Sequence, residues 1–167
     1  MEGKEGMNLQ TIPTQKEVDQ AIFELLENRK RTFSDGIMSM LYPKDCRVLA
    51  EAGTGYMSFA MTEFMTNPLG IVHGGMIVTI FDTCGGMIAR ILTGVSTITT
   101  TDIQTSFLKP VQIGDTIEVV VKMTSRGKSL LHVTAEMRLP DGTIAATASM
   151  TYYVFKKPLD KRQQKDR

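Results

Sequence analysis

A chain of 167 residues, 42% hydrophobic and 22% charged, has the length of one domain and the composition of an ordinary globular one. Nineteen Lys and Arg against eighteen Asp and Glu leave a formal charge of +1, which argues against nucleic-acid binding as the main task. Cys46 and Cys84 form no CxxC, so neither a zinc staple nor a redox dithiol is expected, and no metal or redox cofactor is implied.

The first ten residues carry both charge signs and no apolar core, so they do not read as a secretory signal. Residues 1–13 read as a flexible segment. Thr14 followed by Glu17 is a capping-box signature. Val18, Ile22, Leu25 and Leu26 then recur at helical spacing, which predicts an amphipathic helix over 15–31. Residues 34–46 read as irregular. A hairpin is expected next, with arms at 47–52 and 56–65 and its turn at Gly53-Thr54-Gly55. Asn67-Pro68-Leu69-Gly70 reads as a loop.

Residues 75–90 lack strand alternation and are apolar nearly all round, which predicts a buried helix. Gly85-Gly86 inside it weakens helix propensity and permits close approach by something else. Strands are expected at 96–107, 115–124, 129–139 and 143–155, separated by turn signals such as Pro140-Asp141-Gly142. Residues 156–167 read as a basic, solvated tail. The expected domain therefore runs over 14–155 and is α+β, an antiparallel sheet holding one central helix. No apolar run reads as long enough to span a membrane, and the chain reads as cytoplasmic.

Chemistry concentrates around that helix. Asp82 is the one formally charged residue between Glu63 and Arg90. A carboxylate amid apolar neighbours needs partners or a function. His73-Gly74-Gly75 opens the helix. Free N–H groups and the positive dipole end can hold an oxyanion there, and glycine lets a ligand come close. Gly74 and Asp82 lie eight residues apart, about 12 Å along a helix axis. One reacting carbonyl and its water span only about 3–4 Å. If both groups act, they come from two subunits of a symmetric dimer. His132 falls in an expected strand and reads as structural. No HExxH, P-loop, GxGxxG or GxSxG is present.

The segment Asn67 to Asp82, with His73-Gly74-Gly75 and an Asp seven positions after the second glycine, resembles the hotdog-fold thioesterases of the phenylacetate-degradation (PaaI-like) type. Thr100 to Pro110, Gly114-Asp115 and Arg126-Gly127-Lys128 are similar to later family segments. The resemblance spans about residues 45–155. It implies a hotdog fold and hydrolysis of an acyl-CoA thioester. It implies a Gly74 N–H for the thioester carbonyl, Asn67 supporting it, His73 shaping the loop, and Gly75 among the substrate-binding residues. Asp82 of the neighbouring subunit would act as base or nucleophile, and Thr100 would help hold the water. CoA phosphates would fall to Arg126 and Lys128, with Lys109 joining them. A homodimer, and a dimer of dimers, is the implied assembly. Two rivals share the fold: an enoyl-CoA hydratase or dehydratase, and a non-catalytic acyl-CoA-binding module.

Overall fold

In the computed structural model, residues 12–32 and 37–156 are described. The Thr14–Glu17 box starts helix α1 (Gln15–Thr32). The Thr14 N–H and hydroxyl both donate to Glu17 Oε2, at 2.7 and 2.8 Å. A single turn, α2 (Ile37–Met40), leads into strand β1 (Asp45–Leu49) and its antiparallel partner β2 (Thr54–Ala60). After a 3-10 turn at Glu63–Met65 comes the long helix α3 (Gly74–Thr93). Four strands follow: β3 (Ile98–Phe107), β4 (Thr116–Arg126), β5 (Leu130–Arg138) and β6 (Ile144–Val154).

The six strands form one antiparallel sheet in the order β1-β2-β4-β5-β6-β3. Alternation explains the packing. Ile117, Val119, Val121 and Met123 of β4 are all buried on one face, alongside Leu131, Val133, Ala135 and Met137 of β5. That face wraps α3, whose Ile80, Phe81, Cys84, Ile88 and Leu92 lose essentially all solvent contact. The fold is thus a hotdog of the α+β class: one long helix gripped by an antiparallel sheet.

Three expectations are corrected. The hairpin turn lies at 50–53, closed by Gly53 N–H to the Ala50 carbonyl, with Gly53 at φ +59°. Gly55 is instead inside β2, where any Cβ would collide with Ile88; glycine lets helix and sheet close there. The second hairpin arm ends at Ala60, because Glu63–Met65 turns away. Finally, α3 continues to Thr93 and stops at Gly94, which is left-handed at φ 69°. At 20 residues, with a mean hydropathy of 1.5 over its most apolar window, α3 is long and apolar enough to cross a bilayer. Most of that window is buried inside the sheet, as befits a core helix. Of the expected tails, only Ile12, Pro13 and Lys156 lie within the described residues.

The two sheet edges differ. Beside β1, the Gln15 amide imitates a missing peptide: Nε2 donates to the Val48 carbonyl at 2.8 Å, and Oε1 accepts from the Ala50 N–H at 3.1 Å. Among the described residues, β3 pairs with β6 on one side only.

Candidate active site

Asp82 sits half-buried in the middle of α3. Its Oδ1 accepts a hydrogen bond from Thr100 Oγ1 at 2.5 Å. Alternation along β3 aims Thr100 at the helix, while Thr99 and Thr101 are exposed and the Thr101 hydroxyl donates to the Thr151 carbonyl. A register shift follows between Thr100 and Asp102, so the ladder is locally irregular where this hydroxyl is presented.

Tyr152, directly opposite Thr100 in the β3–β6 register, is buried. Its phenol O–H donates to the backbone carbonyl of Asp82 at 3.2 Å. Burial, and then the charges of Asp82 and Cys84, push that phenol far above the ordinary tyrosine range. It stays a neutral donor. Sequence reading assigned nothing to Tyr152. The signal was Gly85, read as room for close approach: a Cβ there would collide with the Tyr152 oxygen.

The second group of candidates gathers at the other end of the helix. His73 is the N-cap, and its Nδ1 accepts from the Gly75 N–H at 2.9 Å. That bond requires an unprotonated Nδ1. Met76 and Ile77 N–H groups go to the His73 carbonyl. Gly74 N–H is left as the first-turn amide without a partner among the described residues. It lines a cavity of about 360 Å³ with Asn67, Ile77, Phe107 and Lys109 among its walls. Asn67 Oδ1 accepts from the Leu69 and Ile71 N–H groups, at 2.8 and 3.3 Å. Its amide NH₂ is therefore the end left to donate. The Phe107 ring lies over Gly74, 3.3 Å from where a Cβ would stand. Phe107 was not singled out from the sequence, since an aromatic closing a strand carries no motif.

The candidates thus fall into separate groups. Asn67, His73, Gly74, Gly75 and Lys109 occupy the end of the sheet where β3 finishes. Arg126 and Lys128 flank the β4–β5 turn at the opposite end, level with Thr100 through the register Thr100–Tyr152–Leu131–Arg126. Burial pulls the Arg126 guanidinium below its usual range, and its buried Nη1 has no hydrogen-bond partner. Lys109 therefore does not join Arg126 and Lys128 within one chain. His132 lies outside both groups, its Nδ1 3.0 Å from the Thr151 hydroxyl.

Comparison with known proteins bears on the fold and the family. The family model described as "Thioesterase superfamily" matches residues 69–146, from the loop before His73 into β6. A phenylacetic acid degradation-related protein from Ralstonia eutropha is 26% identical, covers 77% of this chain and 98% of its own, and superposes with a TM-score of 0.65. A Streptococcus mutans protein solved with acetyl CoA is 25% identical, covers 68% and 89%, and gives a TM-score of 0.62. A Saccharolobus solfataricus protein named as an esterase is 28% identical over 107 residues, 64% of this chain and 75% of its own. Motif, fold and these likenesses converge on a thioester hydrolase with a hotdog fold, similar over residues 69–146 to the thioesterase superfamily and, among solved structures, to a phenylacetic acid degradation-related protein.

Proposed function

We propose that the protein hydrolyses acyl-CoA thioesters to a free acid and CoA at sites shared between two copies of the chain. The observation that carries this reading is the hydrogen bond from Thr100 of β3 to Asp82 of the apolar helix α3, together with a Gly74 N–H that has no partner among the described residues and lines a cavity. The Streptococcus mutans relative solved with acetyl CoA supports the choice of thiol. In the reaction, water adds to the thioester carbonyl, the C–S bond breaks, and the proton lost by water ends on the CoA sulfur. The Gly74 N–H, at the positive end of α3, would stabilise the oxyanion, with the Asn67 amide beside it. Asp82 would deprotonate the water or attack the carbonyl itself, its carboxylate steered by Thr100.

Gly74 and Asp82 are eight residues apart on one helix, about 12 Å, so the two roles need two copies. The half-paired β3 offers the contact. If two β3 strands pair antiparallel about a two-fold axis, the Phe107 end of one lies beside the Ile98 end of the other. Gly74, Asn67 and Lys109 of one copy then face Asp82, Thr100, Arg126 and Lys128 of its mate. That arrangement reunites the basic residues that lie apart within a chain and gives CoA phosphates a shared cradle. A homodimer is the minimum assembly, and two dimers can join into a tetramer. A cytoplasmic setting suits both the CoA substrate and the reduced Cys46 and Cys84 thiols, which form no disulfide.

The test is release of free CoA thiol from a panel of aromatic and straight-chain acyl-CoAs. Turnover above the uncatalysed rate on at least one member is expected. Binding of acyl-CoA without any turnover would move the reading to a binding module.

A further inference from the structure

Asp82 is held at two points, and only one of them is its carboxylate. Thr100 grips the side chain, and Tyr152 reaches the main-chain carbonyl of the same residue. The two hydroxyls come from residues paired directly across β3 and β6. The site is built for the phenol: Tyr152 is 2% exposed, and a Cβ on Gly85 would collide with its oxygen and crowd Met150 Sδ at 2.9 Å. Met150 Sδ lies 3.3 Å from the phenol oxygen and closes its far side. A helix carbonyl already has an amide donor four residues on, so the phenol bond is not needed to satisfy Asp82. A buried phenol does need a partner, but the sheet gives it this one, on the residue that carries the carboxylate.

We infer that Tyr152 is a positioning residue: its hydroxyl fixes the backbone of Asp82 against the sheet, so that the carboxylate meets the substrate carbonyl at a set distance. The inference rests on the hydrolytic role of Asp82 proposed above. Gly85 belongs to the same device, as the space that admits the phenol. Because Tyr152 touches no substrate, its loss acts on the chemical step and leaves substrate affinity alone.

The test compares wild type, Tyr152→Phe, Gly85→Ala and the double variant. Steady-state hydrolysis of the best acyl-CoA from the panel is measured alongside amide hydrogen exchange at Gly86. Tyr152→Phe should lower kcat about tenfold, since small misplacements of a catalytic group are costly, with KM within about twofold. Gly85→Ala should do the same by pushing the phenol aside. The double variant should be no worse than Tyr152→Phe alone, because both changes remove one bond. Gly86 amide exchange should quicken in all three. Wild-type kcat in Tyr152→Phe, or losses that multiply in the double variant, would overturn the inference while leaving the hydrolase reading intact. Wild type inactive on every acyl-CoA would instead sink the hydrolase reading. The anchor is then judged by exchange alone: faster exchange in Tyr152→Phe supports it, and unchanged exchange overturns it.

Discussion

The Thr100 hydroxyl stands 2.5 Å from Asp82 Oδ1, tying the half-paired strand β3 to the middle of the core helix. A charge-assisted bond of this kind contributes about 1.5–3 kcal/mol, so Thr100→Ala should lower kcat by about tenfold or more. Thr100→Ser keeps the oxygen and should recover most of that loss. Equal rates for Ala and Ser variants would mean the methyl group, not the hydroxyl, matters.

Asp82→Asn keeps the shape and removes the charge. If the carboxylate is base or nucleophile, kcat should drop by roughly 10²–10⁴-fold, with the circular dichroism spectrum unchanged. Single turnover in ¹⁸O-water tests the nucleophilic role: label entering Asp82 requires an acyl–Asp82 anhydride that water opens at the Asp82 carbonyl. Near-normal turnover in Asp82→Asn would remove the residue from the mechanism.

Gly74→Ala tests the other half of the site. The added methyl meets the Phe107 ring 3.3 Å away, displacing the ring or the helix start and disturbing the free N–H. Loss of an oxyanion donor lowers kcat by about 10²–10³-fold at most. A fall of at least tenfold is expected, with little change in melting temperature. A purely thermal effect would make the glycines nothing more than a helix entry.

Two elements outside the site give stability predictions. Gln15→Ala strips the bonds to Val48 and Ala50 and should cost about 1 kcal/mol in denaturant unfolding. An unchanged midpoint would mean water replaces the amide fully. Hydrogen bonds from Thr14 hold the Glu17 carboxyl below its usual range. Its capping contribution is present above the ordinary Glu pKa and disappears as pH falls through the lowered folded value. The melting-temperature gap between wild type and Glu17→Gln should therefore close in acid. A gap that persists below that range would show that charge is not the cause.

The fate of Tyr152 in alkali follows from its raised pKa. Below about pH 10 the phenol is protonated folded or unfolded. Above it, the unfolded chain loses the proton while the folded chain keeps it, so stability falls with rising pH. Of the four tyrosines, one should ionise only as the fold is lost, seen as phenolate absorbance coincident with the loss of near-ultraviolet ellipticity. Four phenolates in a natively folded protein would contradict its buried, bonded position.

Much of this was legible in the sequence, and for identifiable reasons. α3 announced itself through an apolar run too long for a strand, and Asp82 through its isolation within that run. Thr14 and Glu17 form a local box, so three positions were enough to place the start of α1. Gly55 was misread because glycine looks the same in a turn and under a packed side chain. Only the fold brings Ile88 over it. Tyr152 and Thr100 stand 52 positions apart, and their pairing depends on β3 crossing to the far edge of the sheet. Local pattern carries no trace of such a contact. The separation of Lys109 from Arg126 and Lys128 has the same origin, since it is fixed by strand direction.

The most direct test of the shared site mixes two inactive chains. Asp82→Asn protein is co-refolded with Asn67→Ala protein, heterodimers are verified by mass, and acyl-CoA hydrolysis is measured. A site that takes Asn67 and Gly74 from one copy and Asp82 from the other predicts restored turnover, because each heterodimer contains one intact site. Verified heterodimers that stay as inactive as their parents would contradict it, and would return Asp82 and Gly74 to separate duties within a single chain.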